Sequence, residues 1–364
     1  MNFAQNELNN EISGSNVLST MQICLTLIIV TITSKLCLLP SVLAEASEES
    51  AFWSVLILAA FDVITAMISI YACRSGGIDA IPKGIKKTMA ALLFATFAFK
   101  FCAFTFEISI SAADSLFETG ATLPLFTLLI VGTVFVGSKG FTGVARAAIL
   151  VAWACLLLLI LNLFFIGVDG NVQNLFPLAR PEPINGMIKA LVWFGDPCLF
   201  LLVSSNKSKK SNVAFAISYA VSFLVIGGFY LLLVYTYGSA LKDVGVAFSR
   251  VLLMNRTSAE LGALDWPIMT VWLSMGFFHC SLLFAACKRC FSVVFETKNY
   301  KKRYVPFYLC VPALAFITYF FLFKNVDVYS KVLTLPAVAL TIGVIEYTSP
   351  IITAIIIKIK GATA

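Results

Sequence analysis

Residues 21–43 read MQICLTLIIVTITSKLCLLPSVL. The stretch carries one charge, Lys35, and one proline, Pro40. A hydrocarbon core takes about 20 apolar residues of helix to cross. This run is long enough and apolar on every face, so it suits lipid better than the surface of a water-soluble core. Its middle is irregular. Thr33-Ser34-Lys35 sets an ammonium near mid-depth, which is costly unless it faces a cavity or a partner. Pro40 lacks the amide hydrogen that a helix interior uses. The hydroxyls of Thr33 and Ser34 can satisfy backbone groups that such a break frees. The stretch reads as a membrane-crossing helix interrupted part-way.

Working outward, similar apolar runs fall at 51–73, 88–110, 123–137, 147–168, 186–204, 213–237, 266–287, 305–323 and 332–357. With 21–43 they make segments 1 to 10. Hydrophobic residues make up 60% of the 364 and charged residues 12%, against about 25% charged in soluble domains. No polar stretch is long enough for a separate soluble domain. The alternating segments of about ten residues that build a membrane β-barrel are absent. The expectation is an all-α membrane protein of ten transmembrane helices, one polytopic domain over residues 1–364. Residues 1–16 hold two acids and no base, so they lack the basic start of a cleavable signal peptide. Segment 1 is expected to remain in the mature protein.

Seventeen of the 26 lysines and arginines fall in alternate turns and at the C-terminus, within 74–87, 139–146, 207–210, 288–303 and 358–360. Six fall in the intervening loops: Arg180, Lys242, Arg250, Arg256, Lys324 and Lys331. The positive-inside rule then places both termini in the cytoplasm. The first loop on the other side is acidic, with Glu45, Glu48 and Glu49. The net charge of +7 is a loop asymmetry rather than a nucleic-acid footprint. Most of the ten cysteines lie within segments, where they act as small hydrophobes. Cys287 and Cys290 have CxxC spacing, but there is no second pair and only one histidine. Neither a metal site nor a cofactor is expected. No nucleophile–base arrangement points to an enzyme.

Ten segments divide as five plus five, with half-repeats at about 17–168 and 186–360. If the halves are inverted repeats, the first helix of each should be broken. Segment 6 carries Phe194-Gly195-Asp196-Pro197, and Pro197 disfavours α geometry at Asp196. The two expected positions thus each hold a break and an ionisable group, of opposite sign. Prolines also kink membrane helices without any site. The match in position and the opposite charges favour a ligand or ion site. Other ionisable residues within segments are Asp62, Lys100, Glu107, His279 and Glu346. Lys100 and Glu107 lie seven apart, hence on one face, and read equally as ligand groups or as a packing pair. Asp62 reads as structural or proton-linked, and His279 as a packing residue. Glu346 has no assigned role.

Several stretches carry a family resemblance. Ser19–Gln22 leads into segment 1, which closes with Leu38-Leu39-Pro40-Ser41. Trp53 opens segment 2 and Pro124 opens segment 4. Residues 140–146 (GFTGVAR) turn into segment 5. Asn174-Leu175-Phe176-Pro177-Leu178 precedes segment 6, and Arg250 to Trp272 leads through Asp265-Trp266 into segment 8. In order and spacing the chain resembles the spore germinant-receptor B subunits, the GerAB-like permeases of endospore-forming bacteria. These belong to the amino acid–polyamine–organocation superfamily.

The resemblance implies a LeuT-like five-plus-five inverted repeat with broken helices 1 and 6, flanked at the site by helices 3 and 8. It implies a subunit that senses a small germinant, commonly an amino acid. It also implies partnership with an A subunit and a lipoprotein C subunit in the spore inner membrane. One departure stands out. The helix 1 break of this superfamily is usually glycine-rich, and here it is Thr33-Ser34-Lys35. Lys35 then either replaces a coupling cation beside Asp196 or meets an anionic group of the ligand.

The expected site is a mid-membrane pocket for a small polar or zwitterionic ligand. Thr33, Ser34 and Lys35 would take its anionic end, and Gly195 and Asp196 its cationic end. Trp193 and Phe194 would close over it, with Lys100 and Glu107 alongside. Competing readings are a proton-coupled amino acid permease of the same fold and a non-transporting structural or channel protein.

Overall fold

A computed structural model describes residues 17–47, 51–116, 121–165, 171–175, 183–205, 211–243, 265–296, 304–323 and 326–362. The chain starts, the loop 206–210 and the stretches 176–182, 244–264 and 297–303 named above lie outside the described residues.

The described chain is almost entirely helical. Helix α1 (Thr20–Lys35) and α2 (Leu39–Ser47) share segment 1. They are followed by α3 (Ala51–Arg74), α4 (Lys83–Leu116), α5 (Thr122–Gly137) and α6 (Phe141–Phe165). Segment 6 comprises α7 (Pro183–Ala190) and two 3₁₀ turns, Leu191–Trp193 and Asp196–Leu202. Then come α8 (Ser211–Tyr237), α9 (Asp265–Phe295), α10 (Val305–Phe321), α11 (Val326–Thr334) and α12 (Pro336–Ala362). Among the described residues, six helices are long and apolar enough to cross a bilayer, or nine if each of three bent pairs makes one crossing.

Local chemistry accounts for where helices start and stop. Ser19 caps α1: its Oγ accepts from Gln22 N at 3.2 Å, and Gln22 Oε1 accepts from Ser19 N at 2.9 Å. This reciprocal capping satisfies two amides that no helical carbonyl reaches. It is the physical content of the Ser19–Gln22 signature. Pro40 is the second residue of α2, where a missing amide hydrogen costs nothing. The break therefore lies just before it, at Leu36–Leu38, and the axis bends by 52°.

Helix α4 runs 34 residues, longer than the bilayer requires and longer than the 88–110 expected. Its first turns carry Lys83, Lys86 and Lys87, good helix formers that let the helix continue into water. Segment 10 also differs from expectation. A short helix, α11, precedes α12, so residues 332–335 do not belong to the long helix.

The apolar side chains fall into two populations. Phe97, Phe101, Phe284 and Trp272 are buried between helices, whereas Leu128, Leu224 and Phe321 stand 69%, 75% and 81% exposed. Exposed large hydrophobics on so many helices form a lipid-facing surface. Helices α4 and α9 lie along each other at the centre, joined by Phe101–Phe284 and Phe104–His279 contacts at 5.5 and 5.3 Å.

A two-residue parallel pairing joins Val17–Leu18 to Ser204–Ser205. It ties the start of α1 to the end of segment 6, so the two broken segments run in opposite directions. The base-rich turns gather at this bundle's other contacts: Lys86 and Arg289 both pair with Asp79, and Lys360 donates to Ala80 O. Lys83 and Lys87 each lie 2.8 Å from Glu296 and hold its carboxyl down to about 2.

Candidate functional site

The two interruptions face each other. After Lys35 the backbone leaves helical geometry for three residues before α2 begins. In segment 6, Phe194 is extended (φ −113, ψ −178) and Gly195 is left-handed (φ 81). A Cβ on Gly195 would meet the carboxylate of Glu346, with the Glu346 Cβ only 2.8 Å away. Glycine is required there both by backbone angle and by the approach of α12.

Asp196, just after the second break, is the hub. Its Oδ2 accepts from Ser34 Oγ at 3.3 Å and from Lys35 Nζ at 3.3 Å. Its Oδ1 accepts from Lys100 Nζ at 3.0 Å. Lys100 also donates to Phe194 O at 2.8 Å and lies 2.8 Å from Glu346 Oε2. Lys35 lies 3.7 Å from Asp62 Oδ2 and 4.7 Å from the centre of the Phe194 ring. Asp62 Oδ1 accepts from Gly195 N and from Tyr347 OH, each at 2.8 Å. All five charged side chains are at most 1% exposed. Two ammoniums thus serve three carboxylates in a dry interior, where charges persist only when paired and hydrogen-bonded.

Glu107 stands apart from this cluster. It lies about two turns, or about 10 Å, further along α4 than Lys100. Its partners are neutral: Leu38 N at 3.0 Å, Trp193 Nε1 at 3.2 Å and Tyr329 OH at 3.0 Å. Leu38 belongs to the first break, Trp193 to the second, and Tyr329 to α11. One carboxylate therefore clasps both interruptions and the short helix α11. Removing the α11 hydroxyl in Tyr329→Phe is expected to lower stability by about 1–2 kcal/mol, read as a depressed thermal midpoint. An unchanged midpoint would show that α11 is not held through Glu107.

Beside the first break lies a cavity of about 10 Å³, lined by Thr33, Ser34, Cys37, Phe104, Glu107, Ile108 and His279. That is room for about one water. His279 is fully buried, and neither ring nitrogen has a hydrogen-bond partner among the described residues. Thr33 Oγ1 is turned to its own helix, donating to Ile29 O at 2.6 Å.

The sequence-derived residues come together as follows. Ser34, Lys35, Lys100, Phe194, Gly195 and Asp196 form one contact network. Thr33 and Glu107 border the cavity next to it. Lys100 and Glu107 share a face of α4 but do not pair with each other. Pro40 and Pro197 lie one residue into the stretch that follows each break rather than at the break itself. Asp62, Tyr347 and Glu346 join the network, and Tyr329 and Trp193 join through Glu107. His279, read from sequence as packing, packs on Phe104 at 5.3 Å and also lines the cavity, with neither nitrogen partnered among the described residues. Tyr347 carried a faint signal, a hydroxyl next to Glu346 in an apolar run. Tyr329 carried none, because it sits in what reads as a loop.

Among curated proteins none matches this chain. The family profile of spore germination proteins, the spore permeases, matches residues 17–328, a span that contains both breaks, Asp62, Lys100, Glu107 and His279. The chain belongs to the spore germination protein family.

Proposed function

We propose that this chain is the permease-like subunit of a spore germinant receptor, and that it senses an amino acid between its two helix breaks. The observation that carries the proposal is the direct contact of Ser34 and Lys35 from one break with Asp196 from the other. The anion-binding and cation-binding groups wanted for a zwitterion pair with each other.

A count of ten spans fits this reading. Helices α5 and α6 meet at 110°, too sharp for a single crossing, so they count as two. With α11 as a short outer helix, the spans are α1–α2, α3, α4, α5, α6, segment 6, α8, α9, α10 and α12. The first and sixth are broken and antiparallel, the pattern of a LeuT-like five-plus-five inverted repeat. The base-rich end, where α12 finishes, would face the cytoplasm. The partners would be the receptor's A subunit and lipoprotein C subunit, in the spore inner membrane.

Binding would be an exchange. The ligand carboxylate takes Ser34 and Lys35, and its ammonium takes the freed oxygen of Asp196. Lys100 stays on Asp196 and on Phe194 O throughout. The small cavity by His279 must expand to admit the ligand, so the ligand prefers an opened state. That difference in affinity is what shifts the equilibrium for the partners to read.

Thermal stability of the purified protein, screened against amino acids, tests the proposal. A ligand at 100 times its Kd should add about 2.7 kcal/mol, and the shift should vanish in Lys35→Met. That variant should fold, because Asp196 keeps Lys100 and Asp62 keeps the Gly195 amide and Tyr347. A ligand shift that survives in Lys35→Met would overturn the site.

One observation favours a second reading, a proton-coupled amino acid permease of the same fold. Charge balance between two ammoniums and three carboxylates calls for one further positive charge. Ligand uptake into proteoliposomes that rises with an imposed pH gradient would establish it.

A further inference from the structure

At the base-rich end a crevice of about 300 Å³ opens between three elements. The α5–α6 turn supplies Lys139 and Gly140, and the first turn of α6 supplies Phe141 and Thr142. The last residues of segment 6, Leu202 and Val203, form one wall. One face of α9, at Ala285, Lys288, Arg289 and Ser292, forms the other, with Tyr304 beside it. The volume matches the lower edge of small-molecule pockets, about 300–1,000 Å³.

Among the described residues, three cations line this crevice and no carboxylate does. Arg289 is anchored to Asp79 through one nitrogen, which leaves most of its donor fork free. Lys288 donates to Ser138 O at 2.6 Å and lies 5.5 Å from the Tyr304 ring centre. These contacts fix its ammonium in place without neutralising it. Neither Lys139 nor Lys288 has a carboxylate within ion-pair distance among the described residues. Helix α6 starts here after Gly140, which is left-handed at φ 86. Its first amides have no helical acceptor and point out of the helix start. The hydroxyl of Thr142 completes the donor lining, whereas Ser292 Oγ already donates to Arg289 O at 2.7 Å. Uncompensated ammoniums, a guanidinium, free amides and a hydroxyl around one concavity are the donor set for a tetrahedral oxyanion.

We infer that this crevice binds a phosphoryl group, either the headgroup of an anionic phospholipid or a soluble phosphate compound. Its occupant would touch the end of the broken segment 6, α6 and α9 together. It would thus hold together three elements, one of which carries the second break.

The test uses the full-length protein in detergent. One arm titrates inorganic phosphate against chloride at matched ionic strength. The other adds phosphatidylglycerol against phosphatidylcholine. The readouts are the thermal midpoint and bound lipid counted by native mass spectrometry. The double variant Lys139→Gln with Arg289→Gln, both at exposed positions, should weaken binding about tenfold or more. Its midpoint without the probe should stay where it is. A second variant, Thr142→Val, keeps the charge and should also weaken binding. Lys331→Gln on α11 serves as charge control and should bind as wild type. A response to phosphatidylglycerol alone assigns the site to lipid, and one to inorganic phosphate alone assigns it to a soluble compound. If neither probe raises the wild-type midpoint above its control, or both site variants respond as wild type, the inference is wrong.

Discussion

Lys100→Met is expected to remove about 3–5 kcal/mol of folding stability, as breaking a buried charge pair does. Lys100 is fully buried and holds three acceptors on two elements: Phe194 O, Asp196 Oδ1 and Glu346 Oε2. Methionine fills the volume but leaves the Glu346 carboxylate without its cation and Asp196 with Lys35 alone. The extended carbonyl of Phe194 also loses its donor. Since domains are stable by about 5–15 kcal/mol, the thermal midpoint should drop steeply. Lys35→Met should cost less, because its contacts are longer, at 3.3 and 3.7 Å, and its acceptors keep other donors. Adding Glu346→Gln to Lys100→Met should recover part of the loss, a coupling of about 0.5–3 kcal/mol. A Lys100→Met protein that melts with the wild type would mean that the ion cluster does not hold the segment 6 break.

That cluster also marks the limit of what the sequence discloses. Both breaks were legible, because they arise from local terms. Proline and glycine act on the backbone within a few residues, and a lysine in an apolar run declares itself wherever it ends up. Opposite charges at Lys35 and Asp196 made their pairing readable as well. The share of Lys100 in the same pair was not, since nothing local links α4 to a residue 96 positions away. Periodicity placed Lys100 and Glu107 on one face, and the structure divides that face into an ionic layer and a neutral clasp. The clasp depends on Tyr329 from α11, a helix too short to stand out between two apolar spans. Segment 6 read as a broken span to residue 204, but nothing in it announced that the half after the break is a 3₁₀ helix. Hydropathy reports how deep residues lie, and it does not distinguish a tight helix from an α-helix.

Three glycines separate the two forces acting at the second break. Gly195→Ala should be a strongly damaging methyl addition, at about 2–5 kcal/mol. Backbone strain contributes about 1–2 kcal/mol, because alanine resists the left-handed φ of 81 that Gly195 adopts. Crowding contributes about 1–3 kcal/mol. The new methyl would meet Glu346 at its Cβ, 2.8 Å away, and a Cβ cannot swing aside as a carboxylate can. Relief would require α12 to retreat, which would pull Glu346 from Lys100. Gly140 has a similar φ of 86 but nothing within 4 Å of an added Cβ, so Gly140→Ala should show strain alone. Gly227, inside α8, also has open space and no positive φ. Gly227→Ala should gain about 0.5–1 kcal/mol from helix propensity. The predicted order of thermal midpoints is therefore Gly227→Ala highest, Gly140→Ala between, and Gly195→Ala lowest. If Gly195→Ala melts no lower than Gly140→Ala, α12 does not press on the break, and Glu346 loses its place in the site. If the order holds, the break is kept open by the close fit of α12 against a residue without a side chain. Ligand response should then fail in Gly195→Ala even at temperatures where the protein remains folded.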